Sequence, residues 1–170
     1  MKRPTTPTPE PALGGEPAAR LLTIMGSGET APTMAKVHRR LLERLGPPPV
    51  AAVLLDTPFG FQENADDIVA RAKAYFAESV GTPIGLATLR AAANASAVEQ
   101  AEFIAAVKAA RYVFSGPGSP SYALRQWRGG PLRELLADKL RRGGAVTFSS
   151  AAALALGVAT IPVYEIYKAG

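Results

Sequence analysis

Short apolar runs alternate along this chain with longer segments in which apolar residues recur every three or four positions. Glycine, proline or a small polar residue follows most of the short runs. Runs of four to seven apolar residues bounded in this way are typical of buried strands. The pattern therefore predicts five strands, at residues 21–25, 50–55, 83–89, 111–115 and 145–148.

The segments between these runs have the apolar spacing of amphipathic helices. Helices are predicted to open at Pro32 or Thr33, to span residues 62–79, and to cover residues 122–127 and 131–142. Ser96 and Glu99 have the spacing of a capping box, which predicts a further helix start at Ser96. Strands separated by helices need crossover connections, so we expect a three-layer α/β domain with a mostly parallel sheet and helices on both faces.

The chain has 170 residues, of which 48% are hydrophobic, which is enough for one domain with a single core. The first nineteen residues contain five prolines and no unbroken apolar stretch. We therefore predict a disordered proline-rich leader at residues 1–19 and a single domain at residues 20–170.

Composition excludes several kinds of chemistry. There is no cysteine, so disulfides, a thiolate nucleophile and a cysteine zinc site are ruled out, and the one histidine rules out a multi-histidine metal site. No metal or organic cofactor is expected. The lack of cysteine favours a reducing compartment, so we expect a cytoplasmic protein. The apolar runs are far shorter than the roughly 20 residues of a membrane span.

The formal net charge is +5, and residues 125–142 carry six cations against Glu134 and Asp138. A nucleic-acid site would need exposed aromatic residues among those cations, and only Trp127 is available there. This segment is therefore interpreted as a solvated helix, and neither nucleic acid nor membrane is expected as a partner. A small peptide or amide substrate is expected, and a homodimer is left open.

The most informative segment for function is GGAVTFSSAAALALG, residues 143–157. A buried strand runs directly into a helix of small residues, with Ser149 and Ser150 at the junction. This is the arrangement of a nucleophile elbow, in which a sharp turn lifts a hydroxyl off the sheet edge beside the free N–H groups of a helix start. The alternative is that Ser149 or Ser150 only caps the helix.

Three segments together resemble the cyanophycinase and peptidase E family. They are VFSGPGSPSYAL at residues 113–124, GGAVTFSSAAALALG at residues 143–157, and LLTIMGSGE at residues 21–29. The resemblance implies a class I glutamine amidotransferase-like, flavodoxin-like fold and a serine-type peptidase or amidohydrolase activity. Because the family cleaves next to acidic residues, it also implies a basic pocket, and Arg90 and Arg125 lie near the relevant loops.

The resemblance assigns roles to individual positions. Ser150 matches the nucleophile, and the N–H of Ala151 matches one oxyanion donor. The second donor must come from Gly116 or Gly118, because Pro117 has no N–H. Polar contacts to the substrate are expected from Ser119 and Glu29.

Two positions depart from the family pattern. Phe148 and Ala152 stand where the family usually has glycine, two residues before and two residues after the nucleophile. A β-carbon at a strained turn costs about 1–3 kcal/mol if the strain is unchanged. We therefore expect a relaxed turn and a less reactive Ser150.

The general base is not evident. The family has a histidine after the nucleophile, whereas the only histidine here is His38, in the middle of a helix. His38 is expected to be a partly buried or surface residue, and Lys168 is the only lysine after the turn. Glu165 is either a triad acid or an ordinary exposed carboxylate. The sequence is therefore expected to lack the C-terminal part of the family's domain or to be a degenerate copy.

Two other functions stay open. Gly26, Gly28 and Ala31 fit a dinucleotide-binding fingerprint in a loop after a strand, and Asp56 ends the next strand, where such a fold has its ribose-binding acid. The second is a non-catalytic scaffold with the amidotransferase-like fold. Labelling of Ser150 would distinguish both from a hydrolase.

Overall fold

The computed structural model of the chain describes residues 19–163. Residues 1–18 of the predicted leader, together with Glu165 and Lys168, lie outside the described residues.

Strands and helices alternate in the described part, except that two helices lie between the fourth and the fifth strand. The strands are β1 Leu21–Met25, β2 Ala52–Leu55, β3 Gly85–Ala87, β4 Tyr112–Ser115 and β5 Ala145–Ser149. The helices are α1 Ala35–Glu43, α2 Ala65–Tyr75, α3 Ala97–Ala109, α4 Pro120–Trp127, α5 Leu132–Arg141 and α6 Ser150–Leu154. Every predicted strand is present, although β2 and β3 are shorter than the apolar runs that indicated them.

All five strands are parallel, in the order β1-β5-β4-β2-β3. Residue Leu22 of β1 pairs with Val146 of β5, and Ile24 pairs with Phe148, so β5 lies between β1 and β4. The carboxyl ends of parallel strands meet at one edge of the sheet, which therefore brings together the loops that follow all five strands.

Two apolar clusters cover the two faces of the sheet, which confirms the predicted three-layer α/β fold. On one face, Tyr112 and Phe114 of β4 pack with residues of α1 and α2. On the other face, Val113 of the same strand packs with residues of α3, α5 and α6. Neighbouring residues of β4 thus point to opposite faces, as the period of two in a strand requires.

The ends of two helices show how local sequence fixes the elements. The capping box predicted at Ser96 is present, with the Ser96 hydroxyl accepting from the Glu99 N–H and the Glu99 carboxylate accepting from the Ser96 N–H. The predicted helix at residues 62–79 begins later, at Ala65, and passes after Tyr75 into a π-helical turn, Phe76–Val80. Gly81 then ends it in the left-handed conformation, which glycine adopts without a steric cost.

Candidate active site

The loops after β1 and β4 contact the turn between β5 and α6 from its two sides. The N–H of Ser150 donates to the carbonyl oxygen of Gly26 at 2.7 Å, and the N–H of Ala152 donates to that of Gly116 at 3.2 Å. Both acceptors lie immediately after their strands. The turn is therefore held at the sheet edge between the loops that follow its two neighbouring strands, β1 and β4.

Ser150 has a φ of +49°, and among residues 19–163 it is the only residue other than glycine with a positive φ. This left-handed conformation costs a side chain with a β-carbon about 1–3 kcal/mol. A strained serine between a strand and a helix is the geometry of a nucleophile elbow, which confirms the predicted turn.

The alternative interpretation, that a serine only caps α6, is not supported. Ser149 occupies the N-cap position, but its side chain makes no capping hydrogen bond. Its hydroxyl is fully buried and donates instead to the carbonyl oxygen of Ser115, at 3.3 Å. Within residues 19–163 the hydroxyl of Ser150 makes no hydrogen bond, so it does not cap α6 either.

The expectation that Phe148 and Ala152 would relax the turn is wrong, because the positive φ of Ser150 is retained. Phe148 is fully buried, and its side chain lies on the sheet face opposite α1, with its ring centre 5.7 Å from that of Trp127. Ala152 is fully buried on the same side. Both β-carbons are accommodated in this apolar cluster, which is why they do not force the turn open.

Three backbone N–H groups, in the loop after β4 and at the start of α6, have no backbone acceptor among residues 19–163. They belong to Ala151, Gly116 and Gly118, the positions predicted to donate to an oxyanion. The first N–H groups of a helix have no partner within the helix, which explains the free donor at Ala151. Gly116 is held near this helix start by the bond from Ala152, so the loop after β4 and the start of α6 lie side by side.

Ser119 is almost fully buried and begins α4. Its hydroxyl accepts from the N–H of Tyr122 at 3.1 Å, and its own N–H donates to the carbonyl oxygen of Pro58 at 2.8 Å. Both groups are thus used to fix the start of a helix. The predicted contact between the Ser119 side chain and a substrate has no support from this arrangement.

Glu29 is buried, with only 6% of its surface exposed, and lies against the loop after β4. A β-carbon placed on Gly116 would lie 2.9 Å from Glu29 Oε1 and 3.3 Å from Ser149 Oγ. Glycine at this position therefore makes room for the carboxylate. No ion pair to Glu29 is found within residues 19–163, and its carboxyl group lies next to Gly116, one of the two glycines predicted to donate to the oxyanion.

The prediction that His38 is partly buried or on the surface is wrong, because it is fully buried. Its Nε2 donates to the carbonyl oxygen of Glu29 at 2.7 Å, and its Nδ1 accepts from the hydroxyl of Tyr112, also at 2.7 Å. Burial lowers the pKa of His38, which favours this neutral form. Both nitrogens are occupied, so His38 is not the base that would activate Ser150.

Arg90 and Arg125, the two cations considered for a basic pocket, have different environments. Arg90 pairs with Asp56 at 2.9 Å and with Asp66 at 2.5 Å, and these bonds raise the pKa of Arg90. The Arg125 guanidinium is exposed and lies 5.9 Å from the ring centre of Tyr122. Arg90 is thus already neutralised by the protein, and only Arg125 is available to an acidic group.

Asp56 was considered as a ribose-binding acid, and the topology contradicts that role. A dinucleotide-binding fold has its first two strands adjacent, whereas here β5 and β4 separate β1 from β2. Asp56 is also fully buried, with one carboxylate oxygen bonded to the N–H of Leu89 and the other to Arg90. The loop from Gly26 to Ala31 and Asp56 therefore do not form one nucleotide site.

Sequence reasoning missed the contacts of the loops after β2 and β3 with the loop after β4. The partners there are Pro58, Arg90 and Tyr122. Which loops contact each other depends on the order of the strands in the sheet, and the sequence pattern does not predict that order. Asp56, at the end of a buried strand, was the one visible signal, and it was assigned to a different function.

Within residues 19–163, histidine, aspartate and glutamate nowhere form a group of three that could hold a metal ion. In the same range, every helix is too short or too polar to cross a bilayer.

The architecture defines the chain as a three-layer α/β protein, with a left-handed serine at the turn between β5 and α6. No family model matches the sequence, and no curated protein matches it significantly. Among solved structures, a peptidase from an acI-B1 Actinobacterium is similar, with a TM-score of 0.71 and 22% identity over 85% of this chain. A protein of Listeria monocytogenes EGD-e that is described as a Peptidase E has a TM-score of 0.57 and 14% identity over 81% of this chain.

These likenesses confirm the predicted peptidase E-like fold. The chain spans 59% of the length of the actinobacterial structure and 61% of the length of the Listeria structure. At these identities the comparison establishes the architecture, and the activity has to be argued from the residues of the site.

Proposed function

We propose that this chain carries the nucleophile of a serine-type peptidase or amidohydrolase, with Ser150 as the attacking residue. The observation that carries the proposal is the positive φ of Ser150, a strained conformation at a strand-to-helix turn. The strain has no structural purpose, because the Ser150 side chain is needed neither to cap α6 nor to fill the core. Backbone strain of this kind persists only where the surrounding structure enforces it, and it is concentrated at functional sites.

The proposed reaction is acyl transfer to water. The Ser150 oxygen bonds to the carbonyl carbon of a peptide or amide, and the electron pair of the carbonyl double bond moves to its oxygen. The N–H groups of Ala151 and of Gly116 or Gly118 would stabilise that negative charge. Collapse of this intermediate breaks the C–N bond, the leaving amine takes a proton, and water then releases the acyl group from Ser150.

A serine hydroxyl needs a neighbouring base to accept its proton. His38 is excluded by its two hydrogen bonds, and it is the only histidine in the 170 residues. The histidine implied by the family resemblance would therefore have to come from polypeptide beyond these residues. In that arrangement Glu165 remains a candidate acid.

Glu29 is proposed to contact the substrate. The Glu29 side chain lies next to Gly116 and has no ion pair within residues 19–163. A substrate group that donates hydrogen bonds, such as an amide N–H or an ammonium, would provide its carboxyl oxygens with a partner. Replacing Glu29 by Gln should therefore raise KM for such a substrate more than it lowers kcat.

Labelling with a fluorophosphonate in the presence of imidazole tests the proposal, because added imidazole can replace a missing histidine as proton acceptor. We expect covalent modification at Ser150 that becomes faster as the imidazole concentration rises. Ser150→Ala should abolish it, and Ser149→Ala, which removes the adjacent buried hydroxyl, should keep it. A folded chain that is not labelled at any imidazole concentration would instead support the non-catalytic scaffold.

A further inference from the structure

The loops after β2, β3 and β4 form one connected unit around Asp56. The Asp56 carboxylate is fully buried at the end of β2. Its Oδ1 accepts from the N–H of Leu89 at 3.1 Å, and its Oδ2 accepts from Nε of Arg90 at 2.9 Å. One carboxylate thus ties the loop after β2 to the loop after β3.

The loop after β3 in turn holds α4. The carbonyl oxygen of Arg90 accepts from the hydroxyl of Tyr122 at 2.7 Å, and the ring of Tyr122 packs against Phe61 with 4.9 Å between ring centres. A β-carbon on Gly60 would lie 2.7 Å from Cα of Arg90, so the two loops are in direct contact. The helix that follows the predicted oxyanion loop is therefore anchored to Arg90.

The loop after β2 holds the oxyanion loop directly. The carbonyl oxygen of Pro58, two residues after Asp56, accepts from the N–H of Ser119 at 2.8 Å. Gly118 has a φ of +136°, and a β-carbon there would lie 2.0 Å from the same oxygen. Gly118, one of the two glycines proposed to donate to the oxyanion, thus rests against Pro58, two residues after Asp56.

From these contacts we propose that Asp56 is a positioning residue, which fixes the loop at residues 116–118 in the place where its N–H groups can meet the oxyanion. The Asp56 carboxylate is fully buried, so each of its oxygens needs a hydrogen-bond donor, and its bonds to Leu89 and Arg90 hold the loop after β3 in place. Asp56 itself does not touch the substrate. The role rests on the proposed function, since it presupposes that an oxyanion forms beside Ser150.

The decisive comparison is between Asp56→Asn and Val107→Ala. Val107 is fully buried in α3 and takes no part in the hydrogen bonds that join the three loops, so its truncation destabilises the fold without removing any of those bonds. Both variants are compared at a temperature where both are folded. The readouts are amide hydrogen exchange at Ser119 and the rate of imidazole-assisted fluorophosphonate labelling as a function of reagent concentration.

In Asp56→Asn we expect amide exchange at Ser119 to be at least about tenfold faster. We expect the maximal labelling rate to fall by about tenfold or more. Complete loss of one oxyanion donor typically lowers a rate by about 10²–10³-fold, and a misplaced donor should lower it by less. The reagent concentration at half-maximal rate should change less than about twofold, since the loop acts on the reacting oxygen rather than on ground-state binding. Val107→Ala should leave the exchange at Ser119 and the maximal rate unchanged.

Tyr122→Phe provides a milder test in case Asp56→Asn does not fold. It removes only the bond to Arg90, keeps the ring contact with Phe61, and should produce a smaller change in the same direction. Unchanged exchange at Ser119 in Asp56→Asn, or in Tyr122→Phe if only that variant folds, overturns the positioning role. An equal fall of the maximal labelling rate in Asp56→Asn and Val107→Ala also overturns the positioning role. If the unmodified chain is not labelled at all, the proposed hydrolase function fails, and exchange at Ser119 alone decides whether Asp56 positions the loop.

Discussion

The amide nitrogen of Ser150 lies 2.7 Å from the carbonyl oxygen of Gly26, so the strained residue after β5 is bonded to the loop after β1. On the other side of the turn, Ala152 is bonded to Gly116 in the loop after β4. The turn is held between two neighbouring loops, which explains how a serine keeps a φ of +49° that an isolated peptide would avoid.

Replacement of Ser150 by glycine should give a more stable protein than replacement by alanine. Both changes remove the hydroxyl, but only glycine relieves the left-handed strain. Glycine also gives the unfolded chain more conformational entropy, which offsets part of this gain. We therefore expect the free energy of unfolding, measured in urea, to be about 0.5–1 kcal/mol higher for Ser150→Gly than for Ser150→Ala. Equal stabilities would mean that the turn is not strained in solution. Neither variant should be labelled by a fluorophosphonate.

Gly118→Ala should be much more destabilising than Gly129→Ala. Both glycines have a positive φ, of +136° and +75°, but a β-carbon at Gly129 would meet no atom within 4 Å, whereas at Gly118 it would meet the oxygen of Pro58 at 2.0 Å. We expect a loss of about 1 kcal/mol for Gly129→Ala from backbone strain alone, and about 2–4 kcal/mol for Gly118→Ala. Thermal unfolding measures both. Similar losses would show that the loop moves freely away from Pro58.

Removing the capping box of α3 should lower stability without affecting Ser150. In Ser96→Ala the N–H of Glu99 loses its acceptor, which typically costs about 1 kcal/mol. Ser96→Asn keeps an oxygen that can accept this bond, so it should recover most of the loss. Urea unfolding of the two variants is the measurement, and an unchanged midpoint in Ser96→Ala would contradict the assigned cap.

The local sequence was sufficient to predict the elements and the position of the turn at Ser150, but not that the turn is strained. Strand β1 and the capping box of α3 depend on residues a few positions apart, and their physical causes are visible in the sequence. The Ser150 turn follows from a buried strand, two serines and three alanines in succession. The same reasoning failed at Phe148, because the space that accommodates its side chain is provided by Trp127, which approaches only in the folded sheet.

The surroundings of Asp56 and His38 could not be predicted for a related reason. The bond between Asp56 and Arg90 joins residues 34 positions apart, and the bond between His38 and Tyr112 joins residues 74 positions apart. Such contacts depend on the order of the strands, which hydrophobic periodicity does not determine. An incorrect assumption that β1 and β2 are adjacent was enough to suggest a nucleotide site at Asp56.

His38 should make the protein less stable as the pH falls below about 6.5, the ordinary value for histidine. Burial lowers the pKa of His38 in the folded protein, so between its ordinary and its lowered pKa the unfolded chain binds a proton that the folded chain does not. The contribution of His38 is therefore complete above pH 6.5 and is lost as the pH falls, with a slope approaching about 1.4 kcal/mol per pH unit. Subtracting the pH dependence of stability of His38→Gln, which has no group that titrates at this position, separates the contribution of His38 from that of the carboxylates.

Because His38 is the only histidine of the chain, its single imidazole NMR signal gives an independent check. An imidazole that titrates near pH 6.5 in the folded protein, or equal slopes for both proteins between pH 5 and 6.5, would show that the buried neutral histidine is wrongly assigned.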